Sequence, residues 1–296
     1  MLQAARLAPK LLAEAAPLIT TFLEGELNAD GGAADREGKS DLYYTAFALD
    51  ALVALRAELP VERVRRFLEG FGLGEELDLV HRASLVRCWA SLMSQTGEAV
   101  APALRAGILE QVEANRSADG GYAARAGAPT GTLYNSFLAA GVYQDLGATM
   151  PLPFEMGASF EALRTPDGGY ANAVGIPLGT TPAASAAAAL LVFYELEIPE
   201  GIDTWILDQR HPQGGFKAMP EAPIPDLLST ATSLHALACL RKGERGLLGR
   251  GHGLTLDFID SLWTGKAFFG HWDDDCQDAE YVFYGLLALG HLALDS

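Results

Sequence analysis

Asp41-Leu42-Tyr43-Tyr44-Thr45-Ala46-Phe47 opens a helix-period apolar stripe that runs to Leu55, and Asp278-Ala279-Glu280-Tyr281-Val282-Phe283-Tyr284 opens another that runs to Leu289. The two phrases superimpose without a gap. Between them the phrase recurs as Asp78-Leu79-Val80-His81, Gly131-Thr132-Leu133-Tyr134, Thr181-Pro182-Ala183-Ala184 and Asp226-Leu227-Leu228-Ser229, so that six copies lie 37 to 53 residues apart. A repeat of this length settles the architecture before any single element does.

Asp, Thr or Ser before an apolar-periodic run is a helix N-cap, because its side-chain oxygen accepts one of the first free N–H groups. Pro182 after Thr181 suits the first helical position. Ahead of most phrases lies a glycine turn: Asp30-Gly31-Gly32, Asp119-Gly120-Gly121-Tyr122, Asp167-Gly168-Gly169-Tyr170, Gln213-Gly214-Gly215-Phe216 and the degenerate Gly270-His271-Trp272. Paired glycines permit a sharp reversal, and the aromatic that follows staples the loop to the core. Upstream of each turn a second amphipathic stretch is expected as an outer helix: Leu11 to Leu23, Val61 to Leu68, Ala103 to Val112, Phe154 to Leu163, Ile202 to Leu207 and Leu254 to Leu262. No alternating strand pattern is sustained anywhere. The fold class expected is all-α, with six inner and six outer helices in one domain over residues 1–296; a linear solenoid of helix pairs is the rival arrangement.

The chain is 49% hydrophobic and 20% charged, the balance of a globular protein. Its formal charge of −17, from 38 acidic and 21 basic residues, argues against nucleic acid or an anionic membrane as partner. The longest apolar run, Ala183 to Tyr194, is too short for a transmembrane segment. Three scattered cysteines, Cys88, Cys239 and Cys276, and the lack of a signal-peptide pattern point to a reducing, cytoplasmic location.

The glycine-aromatic turn followed by an Asp- or Thr-started helix resembles the prenyltransferase and squalene-cyclase repeat, carried by Gln213-Gly214-Gly215-Phe216 and Gly270-His271-Trp272 and extending from about Leu11 to Leu294. The resemblance implies a closed α6-α6 toroid whose inner helices ring an apolar cavity, as in protein prenyltransferase β subunits and terpenoid cyclases. It implies an isoprenoid or other apolar small molecule as ligand, and a helical-repeat partner subunit. In prenyltransferases it also implies zinc held by Asp, Cys and His; the matching positions here are Asp226, Leu228 and Tyr281. Leucine and tyrosine do not replace thiolate and imidazole.

The candidate catalytic carboxylates are Asp274, Asp275, Asp278 and Glu280, gathered with Asp273 around the last turn and helix start. Cyclases of the resembled superfamily protonate an alkene from a D-x-D-D motif, a role needing a raised pKa in an apolar site; here the position three before Asp275 is Trp272. The bland alternatives are that these aspartates are solvated and that Asp278 caps its helix. A metal on Asp274, Cys276 or His271 is the third option. Candidate ligand-binding residues are Tyr44, Phe47, His81, Tyr134, Phe137, Asp226, Trp272 and Tyr281, because aromatic faces can stabilise a carbocation, although such rings are often plain core. The alanine-rich fourth inner helix and the Ser/Thr-rich fifth either pack tightly or leave room for a ligand. His235 is placed deeper in the fifth inner helix, and His211, His252 and His291 read as loop or terminal residues.

These signs give an isoprenoid-processing enzyme, by prenyl transfer or polyene cyclisation, as the expected function. The alternative is a noncatalytic lipid- or protein-binding barrel that has lost the zinc site, and a sugar-processing barrel is a third possibility.

Overall fold

The computed structural model describes residues 1–241, 249 and 251–295. Two short helices, α1 (Leu2–Ala5) and α2 (Pro9–Leu12), precede α3 (Ala15–Glu26), a two-residue ribbon β1 (Ala33–Ala34) and β2 (Ser40–Asp41), α4 (Leu42–Ala54), α5 (Val61–Glu69), α6 (Leu79–Thr96) and α7 (Pro102–Glu113). There follow α8 (Leu133–Asp145), α9 (Pro153–Ser159) with a 3-10 turn at Phe160–Leu163, α10 (Thr181–Phe193) and α11 (Ile202–Asp208). The ribbon β3 (Phe216–Lys217) and β4 (Pro225–Asp226) then leads to α12 (Leu227–Leu240), α13 (Gly251–Ser261) and α14 (Ala279–Asp295).

Five of the six repeats begin as the side-chain chemistry dictates. Asp41, Asp78, Asp226 and Asp278 accept backbone N–H bonds from residues two or three further on, and Thr132 accepts from Asn135 at 3.1 Å. The fourth repeat differs from expectation: Thr180, in an extended conformation, takes the cap position without a side-chain bond, while the Thr181 hydroxyl turns to the Lys217 carbonyl. Thr181 therefore starts α10 itself, and Pro182 occupies its second position, where no intrahelical N–H is needed.

The glycine turns tie the outer helix of each pair to the inner one. Tyr122, Tyr170 and Phe216 are each 2% exposed or less, so the aromatic after the glycines is core. In three repeats the turn's N–H donates to a hydroxyl one helical turn past the cap: Ala33 to Thr45, Tyr122 to Ser136 and Phe216 to Thr230, at 2.7 to 3.1 Å. Gly214 sits at φ +97°, and a Cβ there would lie 1.9 Å from the Leu254 carbonyl of the next outer helix, so only glycine lets the turn seat against its neighbour.

The inner helices α4, α6, α8, α10, α12 and α14 each pack on the next, and α14 returns to α4, which closes the ring. The fold is thus an α/α toroid, not an open solenoid. Leu49, Leu52, Leu85, Leu286 and Leu287 are fully buried between the rings, at about 1.5–3 kcal/mol for each such side chain. The outer helices α3, α5, α7, α9, α11 and α13 follow the expected stretches with one correction. Leu11 belongs to α2, because Ala13 takes a positive φ of 47° and breaks the helix there. The segment from Met1 to Leu12 lies instead across α14 and α4. No helix among the described residues is long and apolar enough to cross a membrane.

Candidate active site

The lumen of the ring is built from single faces of the inner helices. Tyr43, Phe47 and Asp50 recur at helical spacing on α4, as do Tyr134, Phe137 and Gly141 on α8 and Glu280 and Tyr284 on α14, and side chains three or four apart share a helix face. They surround three adjoining cavities of about 130, 340 and 490 Å3, all lined in part by Met1 and Phe137.

The cavity of about 340 Å3 holds the polar chemistry nearest the helix N-termini. On one side stand Tyr43, Tyr134 and Tyr284; on the other, Ala183, Ser185, Ala186, Ala189 and Thr232 leave space. Tyr43 donates its hydroxyl to Glu280 Oε1 at 2.7 Å. Burial raises the Glu280 pKa, and the Tyr43 hydrogen bond only partly opposes it, so the carboxyl holds its proton more firmly than a solvated glutamate. Burial also pushes the Tyr43 and Tyr284 phenols up, which keeps them neutral donors. Phe47 meets Tyr43 edge-on at 4.9 Å and lies 5.5 Å from Tyr284, giving a continuous aromatic wall. The Ser185 hydroxyl, on a residue 3% exposed, finds no hydrogen-bond partner among the described residues.

Deeper in the lumen Arg87 of α6 joins two neighbours, bonding Asp50 of α4 at 3.0 Å and Asp145 of α8 at 2.7 Å. Burial raises the Asp145 pKa, opposed by the adjacent guanidinium. Across the lumen His235 Nδ1 lies 3.1 Å from His291 Nε2. Burial lowers these imidazoles to about 3 and about 4, and both are neutral at pH 7.

The structure separates the residues expected from sequence into three groups. Phe47, Tyr134, Phe137 and Glu280 face the lumen. Tyr44, His81, Asp226, Trp272 and Tyr281 line none of its three cavities. His81 sits between Asp78 and Asp41, 2.8 and 3.4 Å away. Trp272 packs on Phe258 of α13 and donates to Ser261 at 2.9 Å, away from the inner helices, and Tyr281 lies under Arg36. The last group is the aspartate run. Asp275 is exposed; Asp274 is buried enough to favour a raised pKa, yet the N–H groups of Cys276 and Gly270, at 3.0 and 3.2 Å, bring it below the usual value. Asp278, 4% exposed, caps α14 and pairs with Arg36 at 3.1 Å.

Among the described residues no three His, Cys, Asp or Glu side chains converge to hold a metal, so His271, Asp274 and Cys276 are not gathered about one point. The zinc implied by the family resemblance does not fit either. Asp226 caps α12 through Ser229, and Leu228 presents a hydrocarbon side chain to the cavity where a thiolate would be needed.

Sequence reasoning missed Asp50, Arg87 and Asp145, whose pairing spans 37 and 58 residues and has no local signature. It also misplaced His291, which is 7% exposed inside α14 and not terminal. The signal available was a polar residue interrupting an otherwise apolar inner helix, as Asp50 does between Leu49 and Ala51.

No protein-family model matches the chain, and no curated protein matches it by sequence. Solved structures do. A type II terpene cyclase from Scytonema, in complex with geranylgeranyl dihydroxybenzoate, is similar with a TM-score of 0.64, 13% identity and coverage of 97% of each chain. Candida albicans protein geranylgeranyltransferase-I is similar at 0.61 and 14%, over 86% of this chain and 89% of that one. An α-1,6-mannanase from Salegentibacter is similar at 0.62 and 14%, over 96% and 99%. At such identities the likeness establishes the shared α/α toroid.

Proposed function

We propose that the chain is an isoprenoid-processing enzyme that takes a polyene into its lumen and starts cyclisation by protonation from Glu280. The observation that carries this reading is a carboxyl with a raised pKa, hydrogen-bonded to Tyr43, in a cavity walled by Tyr134, Phe137 and Tyr284. The alkene π pair takes the Glu280 proton, forming a C–H bond and leaving a carbocation next to it. Further alkenes attack in turn as rings close, and the aromatic faces stabilise the moving charge. Loss of a proton from the last cation restores a neutral product, and Glu280 regains its proton from solvent.

Protonation suits this lumen better than ionisation of a prenyl diphosphate. A diphosphate needs uncompensated cations, whereas Arg87 is bracketed by Asp50 and Asp145 and Arg36 is paired with Asp278. A glycosidase needs two opposed carboxyl groups free to act, and Asp50 and Asp145 are both bound to Arg87. Three cysteines scattered along the chain suit a reducing compartment such as the cytoplasm.

A second reading, an apolar-ligand carrier without turnover, is favoured by the engagement of Asp41, Asp226, Asp274 and Asp278 with backbone N–H groups. One experiment separates the two. The protein is incubated with linear polyprenols and the extract analysed by gas chromatography and mass spectrometry. Cyclised product from the wild type, reduced at least about a hundredfold in Glu280→Gln with ligand binding retained, supports the enzyme. Binding without product in both supports the carrier.

A further inference from the structure

We propose that the N-terminal segment, Met1 to Leu12, is the floor of the lumen and sets the length of chain it accepts. The proposal rests on the reading of the lumen as the site of an apolar chain. The segment is placed for this role by contacts on two sides. Met1 lines all three cavities, and Leu2 and Gln3 line the largest, which also reaches Gln144, Phe193 and Cys239 at the C-terminal ends of α8, α10 and α12. Leu2 and Gln3 thus meet the lumen at the end away from Glu280 and the helix N-termini, and Met1 extends from there to the cavity that Glu280 lines.

A specific feature of α14 admits the segment. Gly290 faces the α1 backbone so closely that a Cβ would fall 1.9 Å from the Ala4 carbonyl oxygen and 3.0 Å from the Ala5 nitrogen. The obstructing atoms are main chain and cannot rotate away, so any other residue at 290 moves α1. Ala5 and Ala8 are fully buried in this contact, while Ala13 closes the segment with a positive φ of 47°. That conformation is unfavourable for alanine and marks a defined break between the segment and α3. A chain entering past Tyr43 and Tyr134 therefore runs toward Met1, and one longer than the lumen meets the segment.

Gly290→Ala tests this without altering a lumen side chain, and it adds a good helix former to α14. Binding of geraniol, farnesol, geranylgeraniol and longer polyprenols is measured by native mass spectrometry for the wild type, Gly290→Ala and a chain lacking residues 2–12. Tryptic cleavage after Arg6 and Lys10 reports release of the segment independently. The expected result is faster cleavage in Gly290→Ala and affinity for the longest alcohols raised about tenfold or more, as the extra isoprene units gain a buried path, while the shortest bind as before. Faster cleavage with an unchanged length profile overturns the ruler. Unchanged cleavage in a folded Gly290→Ala protein overturns the docking itself, and if the shortened chain fails to fold, Gly290→Ala decides alone. Should no polyprenol bind any form, the isoprenoid reading falls and the length proposal with it; cleavage still reports whether the segment is docked.

Discussion

Two halves of one ring, built on the same repeat, do opposite things to the lumen. The half formed by α4, α6, α8 and α14 fills it with Tyr43, Phe47, Phe137 and Tyr284 and is laced by the Asp50–Arg87–Asp145 ion pairs. The half formed by α10 and α12 presents Ala183, Ala186, Ala189 and Thr232, and the two larger cavities reach it, whereas the smallest, about 130 Å3, lies within the first half. The backbone register is common to both, so side-chain volume alone decides which wall is solid and which is hollow. A ligand would lie along the small wall with the aromatic faces and Glu280 opposite.

Breaking the solid half should have the largest effect. Arg87→Ala takes the guanidinium from between Asp50 and Asp145, with Asp50 only 4% exposed on its side chain. Removal of one partner from a buried charge network costs about 3–5 kcal/mol, to be read as a fall in the denaturation midpoint. Phe137→Ala removes the ring where the three cavities meet and should cost about 3 kcal/mol, the lower end for such a truncation because the side chain is only partly buried. It should also admit bulkier ligands.

Converting the hollow half into a solid one is the sharper test. Ala186→Phe places a ring in the cavity of about 340 Å3 and should weaken polyprenol binding at least about tenfold while the far-ultraviolet spectrum is unchanged. Unaltered affinity would move the ligand elsewhere.

The two halves meet again at His235 and His291, on α12 and α14, and here pH is the lever. Their folded pKa values, about 3 and about 4, lie below the ordinary 6.5. The unfolded chain therefore binds protons first, so the neutral pair favours folding above pH 6.5 and that contribution is lost as pH falls toward 4. His235→Asn should flatten the melting-temperature slope between about pH 6.5 and 5, before the carboxylates titrate. Turnover should run the other way: if Glu280 must be protonated, the rate falls as pH rises through its raised pKa. The smallest effect is expected from Asp275→Asn, within about 0.5 kcal/mol in stability and with no change in binding.

That last contrast shows how unevenly the site could be read. The Asp273–Asp275 run is the most conspicuous polar feature of the sequence, yet it folds into a turn whose own N–H groups occupy Asp274. Glu280, one carboxylate among several nearby, is singled out only by the ring of aromatics that closes over it. Helix starts were legible because a cap is a local device: Asp41, Asp78, Asp226 and Asp278 act within three residues of themselves. The hydroxyls of Thr45, Ser136 and Thr230 were legible in principle, being at a fixed distance from their caps, but their partners lie in the preceding turns. The period of the apolar stretch from Leu11 predicts one helix, and nothing in it says that Ala13 divides it into α2 and α3.

By itself the sequence determined the repeat, the caps, the glycine turns and so the all-α class, because these follow from interactions within a few residues of each position, whereas closure into a ring rests on α14 returning to α4. Only the tertiary structure decided that Arg87 joins Asp50 to Asp145, that Glu280 is desolvated beside Tyr43, and that Met1 lines the lumen. Such pairings depend on where the ring returns upon itself, and a chain's local chemistry carries no record of which distant side chain will stand across the cavity.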